Sequence, residues 1–482
     1  MANEYTGESF AVRNPRSGVA DYRFSAPAVA ELHVIADGLR AAQVEWAARP
    51  VAERMAVLDA WQKALAQHAD AIVSALAADT GRGAISRSEC ASVGSTIERC
   101  LRTVRALPEL PQDQPSSVPG ISFGAQLVPY PLVGVISPWN FPLALAVIDA
   151  IPALLAGCAV LVKPSEVTPR FAEPLMASIR AVPELAAVLF VQPGGREMGE
   201  TLVGLADMIC FTGSVRTGRM VAENAARNFI PACLELGGND PVIVTASAHV
   251  ESASDIVLRA SCLATGQACQ SLERVYVDRT IHDQFLQRLI DKARQIEINW
   301  PDMTRGVLGP FIWERQAAIV ADQIADATGK GATLQCGGRI IDHGGKWLEP
   351  TVLSGVNHNM QLMREETFGP VMPVMAYDHI EEAIRLANEG SYGLSAAVIA
   401  GSLDEAGRIG RQIDAGGISL NDGALTGFVH EAEKNSFKLS GLGPSRMGAA
   451  GYLRFFRRKA LLRQHGTAMS LAAMAEQPPP PA

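Results

Sequence analysis

The sequence lacks the cysteine pattern of a disulfide-stapled or zinc-binding protein. Its eight cysteines are scattered along 482 residues, and no two of them form a C-x-x-C pair. Such pairs are typical of structural zinc sites, and closely spaced cysteines are typical of small secreted domains. We therefore expect free thiols, no bound metal and a reducing compartment, the cytoplasm.

Basic clusters and long apolar runs are also scarce. The net charge is −8, and the one basic run, at 454–463, is short, so we expect no nucleic-acid partner. The longest apolar stretch, at 141–162, is interrupted by two prolines, an aspartate and a glycine, so we expect no membrane span. The first residues lack the charged start and apolar core of a signal peptide.

The length and the hydrophobic pattern indicate an α/β protein of two or three domains. Residues 27–107 have a mostly helical pattern, after an irregular segment at 1–25. From residue 132 short apolar strands alternate with helices, one of them predicted at 143–155, and the alternation restarts after Gly237. This alternation predicts two parallel sheets built from βαβ units. The proline-rich tail at 478–481 is predicted to be disordered.

Cys269 lies in the stretch Thr-Gly-Gln-Ala-Cys-Gln-Ser at 265–271, just before a predicted strand at 275–277. A free cysteine is often a buried structural residue. A thiol in this position could instead attack an electrophilic carbon, which would require a base, an oxyanion donor and an electron acceptor.

Two residues could supply the first two of these groups. Asn140 follows a strand end and could donate an N–H to a negative oxygen, or simply form a turn. Glu235 precedes a Gly-Gly turn and could act as a general base if burial raises its pKa.

Two other segments could bind a dinucleotide. Lys163 and Glu166 follow a strand, where ligands of parallel sheets bind. Glu166 would accept from both ribose hydroxyls and repel a 2′-phosphate, although a surface ion pair is the alternative. Gly213 and Ser214 lead from a strand into a helix, a geometry that suits pyrophosphate, but the second glycine of G-x-G-x-x-G is missing.

Seven ordered segments resemble the aldehyde dehydrogenase superfamily, of the NAD(P)-dependent, hydrolytic type, over about residues 10–463. The 34-residue step from Glu235 to Cys269 is usual for that family. The segments are Pro138-Trp-Asn140, Lys163-Pro-Ser-Glu166, Phe211-Thr-Gly-Ser214, Glu235-Leu-Gly-Gly238, Gly266-Gln-Ala-Cys269, Glu366-Thr-Phe368-Gly-Pro370 and Asn388 with Tyr392-Gly-Leu-Ser-Ala396.

The resemblance implies a Rossmann-type NAD-binding domain at 1–113 and 131–236 and an α/β catalytic domain at 237–438. It also implies a small oligomerisation β-segment from 114–130 and 455–475, and a homodimer or homotetramer. An exposed strand edge in these segments could pair with a second subunit.

The resemblance also implies roles for individual residues. Cys269 is the nucleophile, Asn140 and the Cys269 N–H hold the oxyanion, and Glu235 is the base. The implied cofactor is NAD rather than NADP, with Gln316 on the adenosine side. The residues implied to bind it are Ser137, Pro138, Trp139, Lys163, Ser165, Glu166, Gly194, Phe211, Gly213, Ser214, Leu236, Gly237, Gln316, Glu366 and Phe368.

Positions that match the family's substrate tunnel are mostly apolar, and no arginine aligns with the carboxylate-binding residue of semialdehyde enzymes. They are Phe141, Leu145, Ile148, Ala268, Gln270, Leu425 and Phe428. We therefore expect a hydrophobic aldehyde, with a semialdehyde as the alternative. A CoA-acylating enzyme is a further alternative, although Glu235 argues against it. Two departures from the family pattern are Ala264, where asparagine is usual, and a shortened loop at 436–441 near the tunnel entrance.

Overall fold

The computed structural model describes residues 5–108, 110 and 112–476. The proline-rich tail at 478–481, predicted to be disordered, lies outside the described residues. Up to residue 129, three long helices follow a β-hairpin and precede two further strands. These elements are β1 (Ser9–Arg13), β2 (Ala20–Ser25), α1 (Val29–Ala48), α2 (Val51–Thr80), α3 (Gly83–Ala106), β3 (Gln114–Pro115) and β4 (Ile121–Pro129).

The hairpin corrects our expectation of an irregular segment at 1–25. β1 and β2 pair antiparallel, and the rings of Phe10 and Phe24 stack with centroids 5.0 Å apart. Gly18 has a φ of +76°, which allows the chain to turn between the strands. The cross-strand aromatic pair explains why two short strands form where no long apolar run is present.

The next part of the chain alternates strands and helices as predicted. Its elements are β5 (Leu132–Ile136), α4 (Pro142–Val147), α5 (Ala150–Ala156), β6 (Ala159–Lys163), α6 (Ala172–Arg180), α7 (Pro183–Ala186), β7 (Leu189–Val191), α8 (Arg196–Leu205), β8 (Met208–Thr212), α9 (Val215–Arg227) and β9 (Ala232–Glu235).

The single helix predicted at 143–155 is wrong, because two helices, α4 and α5, occupy this stretch. Pro152 has no N–H to donate to the carbonyl of Ile148, so a continuous helix would lose a hydrogen bond at the junction. In α5 the proline lies in the first turn, where its missing N–H costs nothing.

The rest of the chain contains a second run of strands and helices. Its elements are β10 (Asp240–Val244), α10 (Val250–Cys262), β11 (Leu272–Asp278), α11 (His282–Ala293), α12 (Glu314–Gly329), β12 (Thr333–Cys336), β13 (Ile340–Asp342), β14 (Lys346–Leu348), β15 (Thr351–Ser354), β16 (Val371–Tyr377), α13 (Ile380–Asn388), β17 (Tyr392–Gly393), β18 (Ser395–Ile399), α14 (Leu403–Gly410), β19 (Gly417–Leu420), β20 (Phe437–Lys438), β21 (Gly441–Leu442), α15 (Gly448–Leu453) and β22 (Phe456–Gln464).

Two mostly parallel sheets form the framework. The first has the order β21-β9-β8-β5-β6-β7, and the second has the order β12-β15-β16-β11-β10-β18-β19. Only β21 and β12 run antiparallel to their neighbours. Strands β5, β6 and β10 are buried along their whole length, as in parallel sheets that are covered by helices on both faces.

A third sheet joins the two segments predicted for oligomerisation. β22 pairs antiparallel with β4 within the same chain, from Phe456 opposite Pro129 to Gln464 opposite Ile121, and β3 extends the sheet. Several apolar side chains at this end of the chain are exposed, including Leu462 and Leu471. Among the described helices, none is long and apolar enough to cross a membrane.

A buried ion cluster connects the C-terminal region to the helices that follow β5. Asp149, at the junction of α4 and α5, binds the guanidinium groups of Arg446, at 2.7 Å, and Arg454. Burial alone would raise the pKa of Asp149, but the two guanidinium groups lower it below its ordinary value. The ionised carboxylate therefore stabilises the fold above its unfolded pKa, and this contribution is lost as the pH falls.

We predict that Asp149→Asn lowers the free energy of unfolding by about 3–5 kcal/mol, because two buried guanidinium groups lose their counter-charge. The loss is measured as a fall in Tm. Asp378→Asn is the control, since Asp378 forms an exposed ion pair with Arg279, and it should leave Tm unchanged. Equal Tm values for the two variants would contradict the prediction.

Candidate functional site

The loop before Cys269 has an unusual backbone. After α10 a short 3-10 helix, Leu263–Gly266, carries three consecutive residues with positive φ: Ala264 at 55°, Thr265 at 63° and Gly266 at 66°. Non-glycine residues rarely adopt this conformation, and alanine tolerates it less well than asparagine. A Cβ added to Gly266 would lie 2.7 Å from the backbone nitrogen of Pro370, so only glycine fits there.

Gln267 anchors this loop. Its side chain is fully buried, and its amide donates to the carbonyl of Pro310 at 3.1 Å and accepts from the N–H of Ile312 at 2.9 Å. The Gly-Gln pair before Cys269 therefore has a structural role, because it fixes where the thiol is presented.

Asn140 meets the Cys269 loop directly. Its side-chain amide donates to the carbonyl of Gln267 at 3.0 Å. Arg82, just before α3, donates to the carbonyl of Ala264 at 3.2 Å and also to the carbonyl of Asn140. Arg82 thus connects both loops, and it compensates in part for the left-handed backbone at Ala264.

Glu89, in the second turn of α3, completes this support. Its carboxylate accepts from the N–H groups of Leu143 and Ala144 in α4, at 2.8 and 2.9 Å. Burial raises the pKa of Glu89 to about 7, while these bonds and Arg82 act against the rise. The sequence analysis missed both Arg82 and Glu89, because their partners lie more than 50 residues away and no local motif marks them.

Glu235 lies at the end of β9 and faces the same region. Its Oε2 accepts from Ser436 Oγ at 2.9 Å, and its Oε1 lies 3.9 Å from Arg446 Nε. Ser436 belongs to the shortened loop that the sequence analysis singled out. Arg446 in turn is fixed by Asp149, so the buried ion cluster also determines what lies beside Glu235.

A cavity of about 590 Å³ contains both Cys269 and Glu235 in its wall. Six of the seven predicted substrate residues line it, namely Phe141, Leu145, Ile148, Ala268, Gln270 and Phe428. Leu425 is 39% exposed and is not part of the wall, so the structure does not support that expectation. The neighbouring Ala424 and Gly427 face the cavity instead.

The wall is mostly apolar, but it also carries cationic side chains that we did not predict, together with the carboxylates of Glu89, Glu235 and Glu431. One face of α3 lines it at helical spacing, with Ser88, Ser92, Thr96, Arg99 and Arg102. His430, Lys434 and Arg446 line it from the C-terminal part of the chain. The family motifs do not reveal these side chains as part of the cavity wall, because they come from segments outside those motifs.

The residues predicted for the adenosine end lie at one edge of the first sheet. Ser137 follows β5, Lys163 ends β6, and Lys163 Nζ lies 3.4 Å from Glu166 Oε2. The hydroxyl of Ser137 is buried without a hydrogen-bond partner in the described part of the chain. Phe211 lies near the end of β8, and the other predicted residues of this edge follow β5 to β9, namely Pro138, Trp139, Ser165, Gly194, Gly213, Ser214, Leu236 and Gly237.

The predicted nicotinamide end is built from a different segment. The Phe368 ring packs edge-on against Trp139 with centroids 5.3 Å apart, and the φ of Phe368 is +54°. Glu366 accepts from the N–H of Gly238 at 3.2 Å. Burial, helped by the charge of Glu273, raises the pKa of Glu366 to about 8.

Two further side chains position this segment. Glu273, which the sequence analysis missed, accepts from the N–H groups of Thr367 and Phe368 at 2.8 and 2.7 Å. Gln316 donates to the carbonyl of Thr367 at 2.8 Å. Gln316 therefore lies beside the predicted nicotinamide residues, not beside Lys163 and Glu166 on the adenosine side as we had expected.

The environment of Cys269 favours the protonated thiol. Burial raises the pKa of Cys269 to about 12, and the charges of Glu366, Asp240 and Glu235 add to this effect. The ammonium group of Lys434 acts in the opposite direction. A thiolate thus requires a change in this environment, such as the arrival of a positive charge.

Comparison with known proteins places these features in a family. The aldehyde dehydrogenase family profile matches residues 2–461. The chain is 38% identical over 425 residues to a "Putative succinate-semialdehyde dehydrogenase", named as NADP(+)-dependent, from Mycolicibacterium smegmatis, covering 86% of this chain and 81% of the relative.

Solved structures agree with this match. A putative aldehyde dehydrogenase, PutA, from Anabaena variabilis superposes with a TM-score of 0.94 at 48% identity, covering 96% of this chain and 99% of the other. Betaine aldehyde dehydrogenase from Staphylococcus aureus, in complex with NAD+, superposes with a TM-score of 0.88 at 26% identity, covering 96% and 95% of the two chains.

The raised pKa of Cys269 predicts an alkylation profile for the cofactor-free protein. Iodoacetamide should label Cys269 at a rate that still increases at pH values of about 10, whereas an ordinary thiol with a pKa of about 8.5 would have levelled off. Mass spectrometry of the Cys269 peptide measures the rate, with Cys269→Ala as the control for peptide assignment. A plateau close to the pKa of an ordinary thiol would contradict the prediction.

Proposed function

The chain belongs to the aldehyde dehydrogenase family, and we propose that it oxidises an aldehyde to the carboxylic acid with NAD+ through a covalent adduct on Cys269. The observation that carries this proposal is that a thiol and a carboxylate share one cavity, with an amide bonded to the loop of the thiol. Cys269 and Glu235 share its wall, and the Asn140 amide lies against the loop that presents the thiol.

The first step is attack by Cys269 Sγ, as thiolate, on the carbonyl carbon. The C–S bond forms as the carbonyl π electrons move to oxygen, and Asn140 with the Cys269 N–H stabilises the resulting oxyanion. Donors of this kind contribute roughly 3–4 kcal/mol each, because they are already oriented before the charge develops. The dinucleotide, when bound, supplies the hydride acceptor that converts this thiohemiacetal into a thioester.

Glu235 then takes a proton from water, and the water oxygen attacks the thioester. The C–S bond breaks, Cys269 leaves as thiolate, and the carboxylic acid is released. Glu235 Oε2 is already bonded to Ser436, but Oε1 has no hydrogen-bond partner among the described residues and remains available for water. Covalent capture thus divides one oxidation into two accessible steps.

The residues at the first sheet edge suit a dinucleotide. Three side chains offer hydrogen-bond donors and acceptors for ribose hydroxyls. They are the Ser137 hydroxyl, which has no partner among the described residues, the buried Lys163 ammonium and the half-exposed Glu166 carboxylate. Trp139 and Phe368 enclose the other end of this region. We infer that Glu166 favours NAD+, because a 2′-phosphate would lie against its negative charge.

This inference predicts a change in cofactor preference. Glu166→Gln should raise kcat/KM with NADP+ relative to NAD+ by about tenfold, since it removes a like charge from beside the phosphate. Glu184→Gln, at an exposed glutamate in α7, is the control and should leave the ratio unchanged. A wild-type protein that already prefers NADP+ would overturn the role of Glu166.

Glu235 favours hydrolysis over transfer of the acyl group to CoA. We predict that Glu235→Gln produces NADH in a burst of about one equivalent per site and then turns over about 100-fold or more slowly, because deacylation loses its base. Stopped-flow absorbance measures the burst, and Cys269→Ala should show none. Full recovery of wild-type turnover on addition of CoA would indicate the acylating reaction instead.

Two classes of aldehyde match the cavity wall. Phe141, Leu145 and Ile148 support the hydrophobic aldehyde that the sequence favours. The cationic side chains of the wall support a semialdehyde, the class named for the Mycolicibacterium smegmatis relative. The domain boundaries given by the resemblance are also proposals, as is the homodimer or homotetramer, for which β22 offers an exposed edge and apolar side chains.

A further inference from the structure

The segment Gly427–Lys434 carries two buried polar atoms that have no partner. Lys434 Nζ and His430 Nδ1 are both enclosed by protein, and neither makes a hydrogen bond within the described part of the chain. Both residues line the cavity that contains Cys269. A buried ammonium with three unused N–H donors is costly, so a site of this kind is incomplete until an acceptor enters it.

The charges around His430 are mostly positive. Arg99, Lys434 and Arg446 all act on His430, opposed only by Glu431, and burial together with these charges lowers the pKa of His430 to about 4. The imidazole is therefore neutral near pH 7 and retains one N–H that it can donate.

The two arginines of this group have hydrogen-bond partners within the protein. Arg446 binds Asp149 and Thr212, each at 2.7 Å, which satisfies much of its charge. Arg99 donates to Thr96 at 3.3 Å. Neither Arg99 nor Lys434 forms an ion pair with a described carboxylate, and Lys434 differs from Arg99 in that its buried Nζ makes no hydrogen bond either.

Lys434 also lies close to the reacting centre. It is the positive charge that most favours the Cys269 thiolate, and it acts on the buried Asp240 next to the Gly237–Gly238 turn as well. Because Lys434 and Cys269 line one cavity, a single small molecule can place an anionic group at Lys434 while it presents its aldehyde carbon to Cys269.

We propose that Lys434 and His430 form an anion-binding subsite that receives the carboxylate of a short aldehyde acid while Cys269 attacks its carbonyl. This inference rests on the proposed aldehyde oxidation and specifies its substrate class. The carboxylate accepts charge-assisted hydrogen bonds from the Lys434 ammonium and a further one from the His430 N–H. The neighbouring Arg99 adds positive potential at the same end of the cavity.

The test compares two aldehydes that differ only in charge, succinate semialdehyde and its methyl ester. Wild-type enzyme should prefer the acid, and Lys434→Met should lower kcat/KM for the acid by about 100-fold, the loss expected for a buried charged bond. The ester should lose clearly less than the acid, by about tenfold or less, since it loses only the effect of the Lys434 charge on Cys269 and makes no such bond. Lys434→Arg should restore part of the acid activity, and Lys63→Met, at an exposed lysine on α2, should match wild type on both substrates.

A second readout does not depend on turnover. Succinate should protect Cys269 from iodoacetamide in the wild-type protein and in Lys63→Met, but not in Lys434→Met. The Tm of each variant establishes that it is folded. Phosphonoacetaldehyde, as a phosphonate probe, separates the anionic classes, and a preference for it over succinate semialdehyde would overturn the choice of a carboxylate.

Other outcomes separate this proposal from the proposed function. Equal losses on acid and ester in Lys434→Met would overturn the subsite and indicate that Lys434 acts on the thiol alone. A wild-type preference for the ester or for hexanal would also overturn the subsite, while aldehyde oxidation itself would stand. If the wild type oxidises no aldehyde but succinate still protects Cys269 in a Lys434-dependent way, the subsite stands and the proposed function fails.

Discussion

The contact between the Asn140 loop and the Cys269 loop is the interaction on which the site depends. Asn140 follows strand β5 of the first sheet, and Cys269 follows α10, the helix after strand β10 of the second sheet. The site therefore needs residues from both sheets. The Asn140 amide bonds directly to Gln267, and Arg82 bonds to the carbonyls of both loops. A left-handed turn at 264–266 gives the nucleophile loop its shape, and it brings Gly266 so close to the backbone of Gly369 and Pro370 that no Cβ would fit.

Buried charge governs the rest of the site. Asp149 forms ion pairs with two arginines, and one of these, Arg446, also lies beside Glu235. The same arginine therefore contacts both the buried ion cluster and the proposed general base. Glu89, Glu273 and Glu366 all have raised pKa values because burial disfavours their charged forms. Each of them accepts from one or two backbone N–H groups, and these bonds fix the start of α4, the segment 367–368 and the turn at Gly238.

The sequence was sufficient to predict the α/β class, the family and the local motifs, because short-range patterns such as strand alternation and Gly266-Gln267 carry them. It failed where long-range contacts decide the structure. The hairpin β1–β2 depends on cross-strand pairing, and Arg82 and Glu89 act on partners far along the chain. The cationic wall was missed for the same reason, since α3 and the segment around Lys434 meet only in three dimensions. The break between α4 and α5 is different, because its cause, Pro152, is local and visible in the sequence.

The covalent adduct on Cys269 is the central claim, and its mass tests it most directly. Glu235→Gln mixed with an aldehyde substrate and NAD+, quenched in acid and digested, should yield the Cys269 peptide heavier by the acyl group of that substrate. The adduct should be absent when NAD+ is omitted, because the thiohemiacetal reverts on quenching. An acyl group on another cysteine, or NADH formation without any acylated peptide, would contradict the account.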